Sequence, residues 1–96
     1  MTFNEFLDEL GCLSDQSWTV ECGVVRNEFG QCPLTALASR KKGQFYRLSE
    51  PFFAGDAIGL DQKDIRKIIS LAGSLAFPAE KQKMIKALKA SIVPLV

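Results

Sequence analysis

The sequence predicts an α+β domain that is mostly helical, with four to five short helices and a small β-hairpin-like element near residues 17–32. Apolar residues recur at intervals of three and four over most of the chain, which is the period of an amphipathic helix. In one stretch they instead alternate with polar residues, which is the period of a strand. The length of 96 residues matches one typical domain, so we expect a single domain over residues 1–96.

The first predicted helix covers residues 2–10. Thr2 and Glu5 form a capping-box pattern at its start, and Gly11 is a natural stop at its end. Its apolar residues lie at i, i+3, i+4 and i+7, so they form one stripe that we expect to be buried. This stripe consists of Phe3, Phe6, Leu7 and Leu10.

Residues 17–26 form the predicted strand, because β-branched and aromatic residues alternate there with polar or small ones. The alternating residues are Trp18, Val20, Cys22 and Val24. The next four residues, 27–30, favour a turn, since asparagine and glycine accept a positive φ. The chain can then return as a short strand through Gln31 and Cys32.

The second predicted helix covers residues 33–41, with Pro33 in its first turn and Gly43 as its C-cap. The cations at residues 40–42 lie where the helix dipole favours positive charge. Residues 45–48 follow as a short connecting segment or strand. A brief helix is then predicted over residues 51–58, ending at Gly59.

Two longer amphipathic helices complete the prediction. Asp61 can cap the first of them, which extends to residue 76. Pro78 begins the second, which continues until Pro94. The apolar stripes consist of Ile65, Ile68, Ile69, Ala72, Leu75 and Ala76 in the first and of Met84, Ile85, Leu88 and Ile92 in the second.

The composition argues against catalysis. The chain contains no histidine, which is the commonest general acid or base. Its close acidic groups lie in the first turns of predicted helices, where acids stabilise the helix itself; they are Glu5, Asp8 and Glu9, and Asp61 and Asp64. The sequence has no glycine-rich phosphate loop, nucleophile elbow or metal-ligand pattern. We therefore expect a protein that is not an enzyme and that uses no cofactor.

Three cysteines lie ten residues apart, at Cys12, Cys22 and Cys32. An odd number leaves one thiol unpaired in any disulfide scheme within a monomer. A zinc site needs close cysteine pairs or histidines, and the sequence has neither. We expect three reduced, buried cysteines and no metal site.

The sequence predicts a cytoplasmic protein that does not enter a membrane. Charged residues or glycines interrupt every apolar run before it reaches the ~20 residues of a membrane span. The first residues are acidic and amphipathic, unlike those of a secretory signal.

Charge is distributed unevenly along the chain, although 12 Lys and Arg residues nearly balance 11 Asp and Glu residues. Acidic residues predominate among the charged residues of positions 1–30, and basic residues predominate among those of positions 31–96. Such an asymmetry can orient the encounter with a charged partner. The acidic candidates for partner binding are Asp8, Glu9, Asp15, Glu21 and Glu28.

Two basic stripes lie opposite the apolar stripes of the last two predicted helices. Their simplest interpretation is a solvated helix face. The alternative is a surface that contacts nucleic-acid phosphates, although side chains typical of base recognition are scarce there. The residues are Lys63, Arg66 and Lys67 in one helix and Lys83, Lys86 and Lys89 in the other.

Residues 26–37, Arg-Asn-Glu-Phe-Gly-Gln-Cys-Pro-Leu-Thr-Ala-Leu, resemble a motif of small phage and prophage proteins. That motif has an arginine, a short turn ending in glycine, then Cys-Pro-Ile/Leu and Ala-Leu/Val. A helix opening like residues 59–61 follows it, with an acid three residues later, here Asp64. The helix typically ends in Ala-Ala-Asp, whereas residues 71–74 read Leu-Ala-Gly-Ser and lack the acid. The resemblance extends over residues 18–90, and its specific part is the twelve-residue motif.

Four motif residues have expected structural roles. Arg26 would bind helix C-terminal carbonyls or an N-terminal acid, and Gly30 would supply a positive φ after Phe29. Cys32 would be the N-cap of the second helix, with Pro33 at its first position.

Several short phage proteins of this kind are anti-CRISPR proteins, which bind and block a host CRISPR–Cas effector without chemistry. The resemblance therefore implies a non-enzymatic inhibitor whose partner is a host protein, most plausibly a CRISPR–Cas effector subunit. Its acidic surface would imitate phosphate charge in a basic channel. The alternative function is a small nucleic-acid-binding regulator that uses the two basic stripes. We expect a monomer or a weak homodimer, since Phe52 and Phe53 allow association.

Overall fold

A computed structural model describes residues 1–13, 16–21 and 24–73, together with Gln82 and Lys86. The described chain is mostly helical, as predicted. In chain order, its elements are helix α1 (Phe3–Glu9), a 3₁₀ turn (Leu10–Leu13), strands β1 (Trp18–Glu21) and β2 (Val24–Asn27), and helices α2 (Pro33–Lys42), α3 (Pro51–Ala57) and α4 (Gln62–Gly73). No helix among the described residues is long and apolar enough to cross a membrane.

Most helix boundaries coincide with the predicted capping residues, but Gly11, predicted to stop the first helix, lies within the 3₁₀ turn that follows α1. Thr2 and Glu5 form the capping box at the start of α1, each side chain bonding to the other's backbone N–H. The C-cap of α2 is Gly43, whose φ of 65° only glycine adopts readily. At the start of α4, Asp61 Oδ1 accepts the backbone N–H of Asp64 at 2.8 Å. These contacts are local, which is why the sequence predicts them.

Helix α2 lies at the centre of the described fold. Residues 33–38 are all buried, and the helix contacts α3, α4, β2 and the 3₁₀ turn. The apolar stripes of α1 and α4 also contribute buried residues to this core, as their helical spacing predicts. The largest fully buried apolar side chains are Phe6, Leu10, Leu13, Val25, Leu34, Leu37, Ile65 and Ile68.

Helices α3 and α4 approach each other closely at Gly55. This residue is buried, and a β-carbon placed on it would overlap Ile65 Cγ1. Such an overlap is not tolerated, so only glycine fits between the helices without rearrangement. The close packing of α3 on α4 therefore depends on the missing side chain of Gly55.

The strands differ in position from the prediction. Residues 18–21 and 24–27 pair with each other in an antiparallel ladder, from Trp18 opposite Asn27 to Glu21 opposite Val24. The prediction of one strand over residues 17–26 returning through Gln31 and Cys32 is wrong in this respect. Residues 22–23, between the paired strands, lie outside the described residues.

The chain after β2 does not form the predicted return strand, because its backbone hydrogen bonds are made within the turn. The backbone C=O of Gln31 accepts the N–H of Asn27 at 2.9 Å, which closes a turn. Residues 45–48, predicted as a connecting segment or strand, form a connection without strand structure. The Tyr46 carbonyl accepts a hydrogen bond from Gln31 Nε2, and the Tyr46 N–H donates to Ser39 Oγ. Both backbone groups are therefore bonded to side chains rather than to a neighbouring strand.

The predicted last helix falls largely outside the described residues. Gln82 and Lys86, which lie within it, are helical and exposed. Its boundaries at Pro78 and Pro94 therefore stay predictions.

Candidate partner-binding surface

Asn27, the last residue of β2, organises the turn that follows it. Its side-chain Oδ1 accepts the backbone N–H groups of Phe29 at 3.1 Å and Gln31 at 2.7 Å. Its Nδ2 donates to Gln31 Oε1 at 3.0 Å and to Gln16 Oε1 at 2.7 Å. Asn27 is buried, so these bonds replace the water that its amide loses. These bonds connect the turn to the end of β2 and to Gln16.

Gln31 extends this network to α2 and to the segment after it. Its Nε2 donates to Ser39 Oγ at 2.9 Å and to the backbone carbonyl of Tyr46 at 2.7 Å. Ser39 Oγ also accepts the backbone N–H of Tyr46 at 2.9 Å. The buried Gln31 side chain therefore connects the turn after β2 with the segment that follows α2.

Two exposed aromatic residues lie on the segments that this network holds. Phe29 is 63% exposed in the turn after β2, and Phe45 is 59% exposed beside Tyr46. Gly30 follows Phe29 with a φ of 77°, as predicted. Large apolar side chains exposed on a fixed backbone are typical of interaction surfaces.

Phe29, Phe45 and Gln31 are shared by two adjoining depressions. One, of about 300 Å³, is also lined by Gln16, Ser39, Arg40 and Gln44, and by Ala36 and Gly43. The other, of about 430 Å³, is also lined by Gly30, Arg47, Leu48 and Ser49. We call the combined feature the Phe29–Phe45 groove. Its described lining combines aromatic rings, amides, hydroxyls and two arginines.

A second aromatic surface lies on α3. Phe52 and Phe53, which the sequence analysis considered for association, are 45% and 72% exposed. They line a separate depression of about 430 Å³ together with Asp56, Leu60, Asp61, Gln62 and Ile65. We call it the Phe52–Phe53 groove. The charged residues in its described lining are acidic, which distinguishes it from the Phe29–Phe45 groove.

The motif residues have mixed outcomes. Cys32 is the N-cap of α2 and Pro33 its first residue, as predicted, although the Cys32 side chain makes no capping bond. Arg26 is exposed on β2, and no contact from its guanidinium to helix carbonyls or to acids is observed among the described residues. The predicted binding of Arg26 to helix C-terminal carbonyls or to an N-terminal acid therefore has no support in the described part of the chain.

The acidic candidates do not form one uniform surface. Asp8 and Glu28 are exposed. Glu9 instead forms an ion pair, its two carboxylate oxygens accepting from Lys41 Nζ at 2.8 and 2.9 Å. This pair joins α1 to the basic end of α2 and cancels part of the acidic charge on α1. Asp15 and the side chain of Glu21 lie outside the described residues.

The basic residues of α4 that were considered for phosphate contact are exposed, which is also what a solvated helix face would show. Lys63 and Arg66 lie on the surface of the first two turns, and Lys67 Nζ lies 4.5 Å from the centre of the Phe3 ring. That distance is typical of a cation–π contact, so Lys67 also connects α4 to α1. Lys86 is exposed, whereas Lys83 and Lys89 lie outside the described residues.

The described residues contain no cluster of three or more cysteines and acids that could hold a metal ion. Cys32 is buried and free, as predicted. Cys22 and the side chain of Cys12 lie outside the described residues. The pKa of Glu5 is lowered, because its carboxylate accepts hydrogen bonds from Thr2 at the helix start. That is a capping effect rather than an indication of acid–base chemistry.

Sequence reasoning did not select Phe29 or Phe45 as functional residues. A signal was present for Phe29, which lies between Glu28 and Gly30 in a predicted turn and has no helix stripe or strand face to bury it. Phe45 has no comparable signal, since its exposure depends on contacts between Gln31 and Tyr46, fifteen residues apart.

Comparison with protein-family models, with curated proteins and with solved structures found no match for this chain.

Proposed function

We propose that this protein is a non-enzymatic, phage-type inhibitor that binds a host protein through the Phe29–Phe45 groove. The observation that supports this proposal is the exposure of two phenylalanines on segments that a buried hydrogen-bond network holds in place. A phenylalanine side chain has two rotatable bonds and so loses little conformational entropy on binding, and buried aromatics supply much of the energy at protein interfaces.

The CRISPR–Cas effector is the first partner to test. Its support is the sequence resemblance at residues 26–37, and that segment contains Asn27, Phe29 and Gln31, which build the groove. The motif and the candidate surface therefore coincide in one part of the fold. An anti-CRISPR protein would block the effector by occupying a surface that the effector needs for nucleic acid or for assembly.

The test is a binding titration of the purified protein against a panel of purified effector complexes, followed by the effector's cleavage assay. Phe29→Ala combined with Phe45→Ala should weaken binding at least tenfold and restore cleavage. Phe52→Ala combined with Phe53→Ala is the matched control, since it also removes two exposed rings, and it should bind like the wild type. Both double variants should keep the wild-type melting temperature.

Three results would count against this proposal. Failure of the wild type to bind any effector removes the CRISPR assignment. Equal binding by the two double variants removes the groove as the interface. Loss of binding on charge reversal at Asp8 and Glu28, with the aromatic variants unaffected, would instead favour the mechanism in which an acidic surface imitates phosphate charge.

A nucleic-acid-binding regulator is the second candidate, and the exposed cations on α4 favour it. It predicts duplex DNA binding that weakens steeply with salt, because each neutralised phosphate releases a counterion. Lys63→Glu combined with Arg66→Glu should abolish such binding while leaving the Lys67–Phe3 contact intact. A wild type that gives no gel shift at ~50 mM salt would exclude this function.

A further inference from the structure

The Phe52–Phe53 groove lies where helices α3 and α4 meet. Its two phenylalanines belong to α3, whereas Gln62 and Ile65 of its lining belong to α4. Gly55 packs directly against Ile65, so this contact marks the level at which the two helices approach each other most closely. The exposed rings therefore lie beside a tightly packed pair of helices.

Charges of both signs lie beside this contact. Asp56 follows Gly55 in α3 and Arg66 follows Ile65 in α4, and both charged side chains are exposed. Asp56 lines the groove itself. Arg66 lies four residues after Gln62, which also lines the groove, and residues four apart are neighbours on a helix surface. The α3 side of the groove therefore has an acid and the α4 side a base.

The charges of Asp56 and Arg66 are not neutralised within the described part of the chain. Neither side chain has an ion pair or a hydrogen bond there. A second acid, Asp61, lines the groove, and a second exposed base, Lys63, lies three residues before Arg66 on the surface of α4. Two acids and two bases therefore accompany the exposed phenylalanines.

We propose that the Phe52–Phe53 groove binds a second copy of this chain, so that two copies form a symmetric dimer with their phenylalanines buried between them. A two-fold interface uses the same patch on both copies, and an axis along the groove places α3 of each copy on α4 of the other. Asp56 of one copy then faces Arg66 of the other, because both residues lie next to the contact of Gly55 with Ile65. A guanidinium binds a carboxylate through two parallel hydrogen bonds, so these pairs define the register of the dimer.

The mixture of charges favours a second copy over a different partner. A uniformly basic segment would be attracted by Asp56 and Asp61 but repelled by Lys63 and Arg66, and the reverse holds for a uniformly acidic segment. A second copy presents both signs in the complementary arrangement. Because α3 has only seven residues, the contact area is small and the dimer is weak.

This inference goes beyond the proposed function and does not depend on it. The Phe52–Phe53 groove and the Phe29–Phe45 groove share no described lining residue. A weak dimer dissociates at the dilution of an effector titration, so Phe52→Ala combined with Phe53→Ala stays a valid control in that experiment.

Sedimentation velocity of the full chain from ~1 µM to ~1 mM tests the dimer, and the average mass should rise towards that of two copies. Asp56→Arg and Arg66→Asp should each weaken association at least tenfold, because the charges that face each other become alike. Glu28→Arg is the matched control for Asp56→Arg, since it makes the same charge change at an exposed acid in the turn after β2. It should associate like the wild type.

Mixing the two charge variants tests the pairing directly. Asp56→Arg leaves bases at both positions and Arg66→Asp leaves acids at both, so an equimolar mixture should form a heterodimer in which both pairs are restored. Asp56→Arg combined with Arg66→Asp in one chain exchanges the charges and should dimerise like the wild type. All these variants should keep the wild-type melting temperature, because the changed side chains are exposed.

Several results would overturn the inference. A wild type that stays monomeric at ~1 mM excludes the dimer. A dimer that Phe52→Ala combined with Phe53→Ala leaves unchanged uses another surface. Charge variants that do not associate when mixed exclude the packing of α3 on α4 of the other copy. A monomer that loses effector binding when Phe52 and Phe53 are replaced would assign the groove to the effector instead.

Discussion

Asn27 and Gln31 bond to each other through both backbone and side chains. The Asn27 N–H donates to the Gln31 carbonyl at 2.9 Å, the Gln31 N–H donates to Asn27 Oδ1 at 2.7 Å, and Asn27 Nδ2 donates to Gln31 Oε1 at 3.0 Å. Both residues are buried. The conformation of the turn between them, and with it the position of Phe29, depends on these polar contacts rather than on apolar packing.

Replacing Asn27 by Ala should therefore lower the free energy of unfolding by about 2–3 kcal/mol, since a buried N–H or C=O left without a partner costs about 1–3 kcal/mol. Urea denaturation followed by circular dichroism measures this loss. Glu28→Ala changes an exposed neighbour in the same turn and should alter stability by less than about 0.5 kcal/mol. Similar stability losses in the two variants would show that the network contributes little.

Replacing Gly55 by Ala should destabilise the protein by about 1–3 kcal/mol, because the added β-carbon would overlap Ile65 where α3 packs on α4. The control is a double-mutant cycle with Ile65→Ala, which removes the atoms that collide. The loss caused by Gly55→Ala should be smaller in the Ile65→Ala background than in the wild type. Strict additivity of the two losses would contradict the close contact.

The Glu9–Lys41 ion pair should contribute about 0.2–1 kcal/mol, because both side chains are about one-third exposed and solvent screens the attraction. A double-mutant cycle of Glu9→Ala and Lys41→Ala measures the coupling energy at 0.05 M salt and again at ~1 M, where the Debye length is only about 3 Å. The coupling should decrease at the higher salt concentration. A coupling energy that is independent of salt would indicate that packing, not charge, joins these side chains.

The stability contributed by Glu5 should depend on pH. Hydrogen bonds from Thr2 favour the charged carboxylate and lower the pKa of Glu5 below its ordinary value of 4.5. The unfolded state therefore binds this proton more readily, so the contribution is present above pH 4.5 and is lost as the pH falls through the lowered pKa.

Melting temperatures of the wild type and of Glu5→Gln, measured from pH 7 to pH 3, test this. The wild type should be the more stable at pH 7, and the difference should shrink as the pH falls through the lowered pKa and Glu5 becomes protonated in both states. Asp8→Asn is a suitable control, since Asp8 is exposed on the same helix. A difference between wild type and Glu5→Gln that is the same at both pH values would be incompatible with the capping role.

The helices were predictable because their determinants lie within a few residues of one another. The capping pair of Thr2 and Glu5, the proline at the start of α2 and the glycine at its end are local signals, and each has the predicted position. The strand positions were predicted incorrectly, because alternation alone does not show where a strand ends. The chain turns back within the segment that was predicted to be one strand.

The candidate surface was only partly predictable. The motif at residues 26–37 drew attention to the correct turn, but Arg26, which was predicted to bind helix C-terminal carbonyls or an N-terminal acid, is exposed. Asn27 and Gln31 provide the contacts instead, and a single polar residue in a turn gives no indication that it will be buried. Likewise, nothing in the sequence distinguishes Glu9, which is paired with a residue 32 positions away, from Asp8, which is exposed.

The sequence alone determined that this chain is mostly helical, where the described helices begin, and which faces are apolar. These properties follow from helical periodicity and from capping contacts that span three or four residues. Only the tertiary structure decided that Gln31 bonds to Tyr46, that Phe29 and Phe45 share a groove, and that this groove is lined by arginines. Those relationships join residues far apart in the chain, and the packing of α2 against its neighbours brings them together.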